Sequence, residues 1–258
     1  MNLFDTHCHI DCEAYALDRA EVLRRTREAG VSALLVPAIQ ASDWDALLVL
    51  CSQEQGLYPA LGLHPVFLEQ HQEHDLNVLE SRLGDSQIVA IGEIGLDYYL
   101  PNLDRKEQQD YFERQLAMAK AADMPVVIHA RKSHDDIITL LEKLRVPCGT
   151  IHAFNGSLQQ AQKYIDLGFK LGFGGTLTFE RSSKIRALAK ALPLDSIVLE
   201  TDAPDMTVSQ HQGERNSPEY LPYCFQALSE IRDESPEEIA TQLFKNSCEV
   251  FRIQGLVS

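Results

Sequence analysis

The chain has 258 residues, 45% of them apolar, enough to bury one large core or two smaller ones. Lys and Arg number 23 against 38 Asp and Glu, a net charge of -15; this argues against a general basic footprint for tracking along a duplex, so a nucleic-acid substrate would be gripped locally, at an end. No apolar run approaches the ~18 residues of a membrane span, the start turns polar at Asp5, and six scattered cysteines form no CxxC pair, so a cytoplasmic protein with reduced thiols and no membrane partner is expected.

Residues 3–9 read as a strand on which His7 and His9 share one face, roughly 6.6–6.8 Å apart along the backbone, while Cys8 points the other way. That alternation argues against a structural zinc site built from Cys8, Cys12 and the histidines. A helix follows over 18–30, with Gly30 at its C-terminus. The continuous apolar run at 31–36 has the character of a strand buried on both faces of a parallel sheet. A helix over 42–55 is closed by Gly56. Further strands are expected at 57–63, 88–91, 125–128, 148–151, 169–173 and 197–199, with helices between them at 76–82, 105–122, 134–144, 158–167 and 183–192.

Eight strands alternating with helices in about 250 residues predict an α/β protein of the (β/α)8 TIM-barrel class, a single domain over 1–258. An open doubly wound sheet is the rival, but no GxGxxG follows the first strand, and Gly172-Phe173-Gly174-Gly175 comes late and lacks the Lys-Ser/Thr of a phosphate loop. After a polar loop at 205–216, Ser217-Pro218 opens a helix, and Ser235-Pro236-Glu237-Glu238 is a capping box for an additional C-terminal helix.

In such a barrel the chemistry sits where strands end. Here the strand ends carry His7 and His9, His64, Glu93, His129, His152 and Asp202. Any one of them could be a satisfied loop or core residue, but imidazoles and carboxylates gathered at one rim are costly unless paired or metal-bound. Nitrogen and oxygen donors without thiolate suit Zn, Mn, Fe or Mg. The four imidazoles of His7, His9, His129 and His152 and the two carboxylates of Glu93 and Asp202 exceed one tetrahedral shell and favour a pair of ions.

The successive segments Phe4-Asp5-Thr6-His7-Cys8-His9, Gly62-Leu63-His64-Pro65, Ile91-Gly92-Glu93-Ile94-Gly95-Leu96-Asp97-Tyr98, Pro125-Val126-Val127-Ile128-His129-Ala130-Arg131, His152-Ala153-Phe154-Asn155-Gly156-Ser157 and Leu199-Glu200-Thr201-Asp202-Ala203-Pro204 resemble, in order, the signatures of the TatD family. That family is a metal-dependent hydrolase branch of the amidohydrolase superfamily. The resemblance implies two divalent ions, the first on His7, His9, Asp202 and Glu93, the second on Glu93, His129 and His152, with Glu93 as the bridge where other branches use a carboxylated lysine. It also implies phosphodiester hydrolysis of nucleic acid, a deoxyribonuclease activity working through a metal-bridging hydroxide.

Asp202 is the expected proton acceptor, and Glu200, two residues earlier on the same strand face, either assists it or orients a ligand. His64 is expected as a donor to a substrate phosphate, Arg131 and Lys132 just past His129 could meet a phosphate too, and Asn155 and Asn216 are weaker candidates at the substrate. His71, His74, His134 and His211 are assigned to solvent, and Trp44, Tyr98 and Tyr99 to packing in preference to a role as base-stacking platforms. Fold and ligands do not fix the bond cleaved; a metal-dependent ester or amide hydrolase, such as a D-aminoacyl-tRNA deacylase or a small-molecule phosphoesterase, is the alternative. A barrel whose zinc is only structural is a third reading, disfavoured by the thiolate-free ligand set. No obligate protein partner is evident.

Overall fold

The structure, a computed structural model, describes residues 2–255. Strands β1 (Leu3–Asp5), β2 (Val31–Pro37), β3 (Leu57–Leu61), β4 (Ala90–Asp97), β5 (Val126–Arg131), β6 (Gly149–Ile151), β7 (Phe169–Phe173) and β8 (Ile197–Leu199) follow one another in a single parallel sheet ordered β1 to β8. Interleaved with them are α1 (Arg19–Glu28), α2 (Trp44–Gln53), α3 (Glu73–Arg82), α4 (Arg105–Ala121), α5 (His134–Leu144), α6 (Leu158–Asp166) and α7 (Ser183–Ala191), and α8 (Leu221–Ser229) and α9 (Pro236–Val250) close the chain. This is the (β/α)8 succession expected from the alternating pattern. Among the described residues no helix is long and apolar enough to cross a membrane.

The chain divides into two compact units, one of residues 2–36, 153–155 and 170–255, the other of residues 37–152 and 156–169. In the first, α9 packs against β1 through Phe4, whose ring centroid lies 6.5 Å from Phe244 and 6.2 Å from Phe251. The Asn246 amide on the same helix donates to the carbonyls of Leu194 and Ile197 at 2.8 and 2.7 Å, latching α9 to the entry of β8. The capping box at Ser235 and Glu238 forms as expected, the hydroxyl accepting from the Glu238 amide and the carboxylate from the Ser235 amide.

In the second unit, two buried glutamines of α4 secure the segments that carry polar side chains. The Gln108 side chain accepts from the Asp97 amide at 2.8 Å and donates to the Asp97 carbonyl at 3.0 Å; the Gln115 side chain does the same for Leu63, at 2.8 and 3.3 Å. Buried backbone groups need partners, and these amides supply them at Leu63, past the end of β3, and at Asp97, the last residue of β4. The termini of β3 and β4 are thereby tied to one helix.

Several boundaries differ from expectation. β4 continues to Asp97 rather than stopping at residue 91, so Glu93 lies inside the strand, not beyond it. The run Gly92-Glu93-Ile94-Gly95 breaks the apolar pattern of a buried strand, and its pairing with β5 shifts register between Ile91 and Ile94. Gly95 has φ +146°, and a Cβ there would stand 2.0 Å from the His129 carbonyl oxygen, so only glycine lets the two strands approach. β5 likewise runs through His129 to Arg131, whereas β1 ends at Asp5 and leaves His7 and His9 in an extended tail. His71 and His134 are buried, not in solvent: His71 folds back so that its Nε2 meets the His64 carbonyl at 2.8 Å, and the His134 ring lies 3.2 Å from the Tyr164 hydroxyl. Trp44 is buried as expected, whereas Tyr99 is 51% exposed.

Candidate metal centre

Beyond β1 and β8 the two chain tails continue to pair. The Thr6 amide and hydroxyl both donate to the Leu199 carbonyl, the Asp202 amide to the His7 carbonyl at 2.8 Å, and the His9 amide to the Ala203 carbonyl at 2.8 Å. This extension of the parallel ladder brings side chains nearly two hundred residues apart to one place. The Nε2 atoms of His7 and His9 lie 3.2 Å apart, and Asp202 Oδ1 stands 3.6 Å from the first and 3.8 Å from the second. Donors bound to one ion at 2.0–2.2 Å with tetrahedral angles are roughly 3.3–3.6 Å apart, so these three atoms fit a common divalent cation. Asp202 has φ +56°, a conformation a non-glycine residue holds only when its surroundings impose it, and here the paired tails do so.

Beneath this triad Asp5 is fully buried. Its carboxylate accepts from the Thr201 amide at 2.9 Å and the His7 amide at 3.3 Å and meets the Thr201 hydroxyl at 2.5 Å. Burial pushes its pKa up to about 8, against the lowering effect of those hydrogen bonds. A neutral side chain of the same shape keeps the contacts. Asp5→Asn should therefore cost little stability, whereas Asp5→Ala, which strands two buried amides, should lose about 2–3 kcal/mol; urea unfolding of the two variants measures the difference, and equal losses would count against the argument.

The second unit holds the other cluster. Glu93 Oε1 lies 3.1 Å from His129 Nδ1, 3.2 Å from His152 Nε2 and 3.3 Å from His64 Nε2, and the His129 and His152 nitrogens are 3.4 Å from each other. Glu93 and His152 are almost wholly buried. The spacing again suits a divalent ion on Glu93, His129 and His152. His64 stands equally near but has a different protonation. Its Nδ1 accepts the Val66 amide at 3.1 Å, so in the neutral ring the proton sits on Nε2 and points at Glu93. His64 is thereby a hydrogen-bond donor in this cluster.

Asp97, which sequence reasoning left without a role, is the structural complement of His129. Its Oδ2 lies 3.1 Å from His129 Nε2, and its Oδ1 accepts the Tyr99 amide at 2.9 Å. Burial raises the Asp97 pKa, but the His129 ring and the Tyr99 amide outweigh it and the net shift is downward. The ionised carboxylate can only accept, so in the neutral ring His129 carries its proton on Nε2 and turns the Nδ1 lone pair toward Glu93 and His152. For His129, burial opposes the charged form, yet Asp97 and Glu93 hold its pKa above the usual value. The one available sequence signal was the spacing of Glu93 and Asp97, four residues apart in one segment. The strand expected at 88–91 stops before this segment, so that spacing carried no strand periodicity.

The remaining candidates occupy distinct places. Glu200 is buried, its Oε1 accepting the Ala153 amide at 2.5 Å, and it lies against Gly172, where a Cβ would come within 2.2 Å of its Oε2. It thus anchors the left-handed residue Ala153, at φ +45°, directly after His152. Arg131 is half exposed, with its guanidinium 3.9 Å from Asp97 Oδ2 and over the Tyr99 ring. Asn155 is exposed and donates to the Ala153 carbonyl at 3.2 Å. Asn216 is buried and fastens the loop after β8, donating to the carbonyls of Thr201 and Asp205; it serves the backbone.

Comparison with known proteins agrees with this donor chemistry. A family model described as TatD related DNase matches residues 4–252. The chain is 42% identical over 252 residues to the uncharacterized metal-dependent hydrolase YjjV of Escherichia coli K12, covering 96% of this chain and 97% of the relative. It is 31% identical over 260 residues to the 3'-5' ssDNA/RNA exonuclease TatD of Pantoea vagans, covering 97% and 100%. The crystal structure of Escherichia coli YjjV, a TatD homologue, superposes with a TM-score of 0.94 at 41% identity over 97% of this chain and 98% of that one. A TatD family hydrolase from Entamoeba histolytica shares the fold, with a TM-score of 0.83 at 21% identity over 97% and 98%. With the family model spanning nearly its whole length and such relatives aligned end to end, the chain belongs to the TatD family of metal-dependent hydrolases.

Proposed function

We propose that the protein is a divalent-metal-dependent phosphodiesterase that hydrolyses nucleic acid at strand ends, a cytoplasmic enzyme whose residues 1–258 form one catalytic domain. The observation that carries this reading is the pair of donor sets, His7, His9 and Asp202 in one unit and Glu93, His129 and His152 in the other, each spaced for an ion. Two ions of the Zn, Mn or Mg class suit them; the sharing of Glu93 between the ions rests on the family resemblance alone. When bound, such ions polarise the scissile phosphate and acidify water.

The protein's own groups supply the rest. Asp202, its side chain 16% exposed, accepts the proton of the attacking water and returns it to the leaving oxygen. His64, with Nε2–H fixed by the Val66 amide on the opposite nitrogen, donates to Glu93 or to a phosphate oxygen. Glu200 holds the backbone next to His152. Arg131 and Asn155 meet the substrate from more exposed positions. A net charge of -15 suits attack at a terminus better than travel along a duplex, the exonuclease named among the relatives accords with the same bond, and six free cysteines accord with a reducing compartment.

The test is a substrate panel. Protein stripped of metal and reloaded with Zn, Mn or Mg is assayed on end-labelled single-stranded DNA, D-aminoacyl-tRNA and chromogenic phosphate and carboxyl esters. Nucleotide release from ends, abolished by chelator, is the expected result. Activity confined to carboxyl esters or to the aminoacyl bond would overturn the reading and leave a metal-dependent ester or amide hydrolase.

A further inference from the structure

Among the described residues, Tyr99 is one of few large aromatic or aliphatic side chains that are more than half exposed, and the cations beside it are not dispersed. The guanidinium carbon of Arg131 lies 3.8 Å from the centre of its ring and the Lys132 ammonium 4.8 Å from the same centre. In a protein with 38 acidic side chains against 23 basic ones, two adjacent cations gathered on one exposed ring call for a reason.

The backbone fixes this arrangement. β4 and β5 pair Asp97 with Arg131, the Tyr98 amide donates to the Arg131 carbonyl at 2.8 Å, and the Tyr99 amide is held by Asp97 Oδ1. Lys132 sits at φ +57° in the turn leaving β5, and the next residue, Ser133, is bonded through its hydroxyl to the Leu96 carbonyl at 2.7 Å. The neighbouring Tyr98 is itself braced, its hydroxyl 2.9 Å from Asp136 and 2.7 Å from the Gln109 amide, with Arg105 4.5 Å over its ring. Asp97 Oδ1 holds the Tyr99 backbone while its Oδ2 holds His129, so the platform and one candidate ligand are fixed to a single buried carboxylate.

Aromatic rings and guanidinium planes are the surfaces on which unpaired bases stack, and lysine and arginine bind the phosphates between them. We infer that Tyr99, Arg131 and Lys132 form a nucleotide subsite that takes one base on the Tyr99–Arg131 stack and an adjacent phosphate on Arg131 and Lys132. The inference rests on the phosphodiesterase reading and adds what that reading lacks, a feature that selects a single-stranded oligonucleotide over a small phosphoester. Tyr99 is here a specificity-determining residue.

Two measurements separate the subsite from the reaction. Binding of a fluorescein-labelled single-stranded tetranucleotide to metal-free full-length protein is followed by anisotropy for the wild type, Tyr99→Ala, Tyr99→Phe and Arg131→Gln. Loss of one stacked base weakens binding about ten-fold, so Tyr99→Ala and Arg131→Gln should each raise Kd by about that factor, while Tyr99→Phe, which keeps the ring, should stay within two-fold of wild type. In turnover, Tyr99→Ala should raise KM for the oligonucleotide far more than kcat falls, and should move KM for bis(p-nitrophenyl) phosphate, which carries no further base or phosphate, by less than two-fold. Binding that is absent in the wild type, or equal in all four proteins, overturns the subsite whatever the enzyme cleaves. Tyr99-dependent binding without cleavage of any oligonucleotide keeps the subsite and removes the phosphodiesterase reading. A Tyr99→Ala protein with altered circular dichroism is replaced by Tyr99→Leu, judged by the same criteria.

Discussion

Glu93→Ala should lose metal and turnover together. One buried carboxylate oxygen faces the nitrogens of His64, His129 and His152, all within 3.3 Å. Removing it leaves three imidazoles around a cavity with no anion to balance a dication, in a place too buried for water to substitute fully. Turnover should fall on the order of 10²–10³-fold or more, and metal content by elemental analysis should drop below that of the wild type. Glu93→Gln, which preserves shape and removes only charge, should fall nearly as far; if either variant kept full turnover in metal-replete protein, Glu93 would have no place in the centre.

The second large effect is expected at Asp97, which stands behind the candidate ligand His129. In Asp97→Asn the amide oxygen can still take the Tyr99 amide, so the turn after β4 stays in place. The amide nitrogen, however, now faces His129 Nε2, and two donors cannot share one hydrogen bond. The ring must move its proton to Nδ1, the nitrogen that faces Glu93 and His152. Metal affinity should fall about 10–100-fold, the loss typical of removing a carboxylate behind a ligating histidine, read by competition with a chromophoric chelator. Nitrogen chemical shifts of the His129 ring should report the change of tautomer in the metal-free protein at a pH high enough that the ring is neutral. Unchanged affinity together with an unchanged tautomer would remove Asp97 from this role.

The two effects differ in how visible their residues were beforehand. Glu93, His129 and His152 follow apolar runs, and a repeating strand and helix pattern announces where such runs end. Asp97 follows Gly95, whose φ of +146° and contact with the His129 carbonyl let β4 run on past the point where its apolar pattern fails. Nothing local to the segment signals that a neighbouring strand will complete it. His71 and His134 were misread for a similar reason: each is polar and lies near a helix start, yet each is buried because a distant group, the His64 carbonyl or the Tyr164 hydroxyl, is brought to it. Tyr99 was misread in the opposite direction. Packing was the reading preferred over a stacking platform, whereas the strand pairing that places Arg131 and Lys132 beside it leaves half its surface open.

By itself the sequence determined the alternation of strands and helices, the capped C-terminal helix and the residue types of the donor set, because periodicity, caps and turn residues act over a few positions and leave their mark locally. Only the tertiary structure decided which nitrogen of each histidine faces its partners, that His64 donates where His129 accepts, and that Asp97, Gln108 and Gln115 hold the segments carrying them. Those outcomes depend on hydrogen bonds between groups far apart in the chain, and the protonation of an imidazole follows from what its other nitrogen meets.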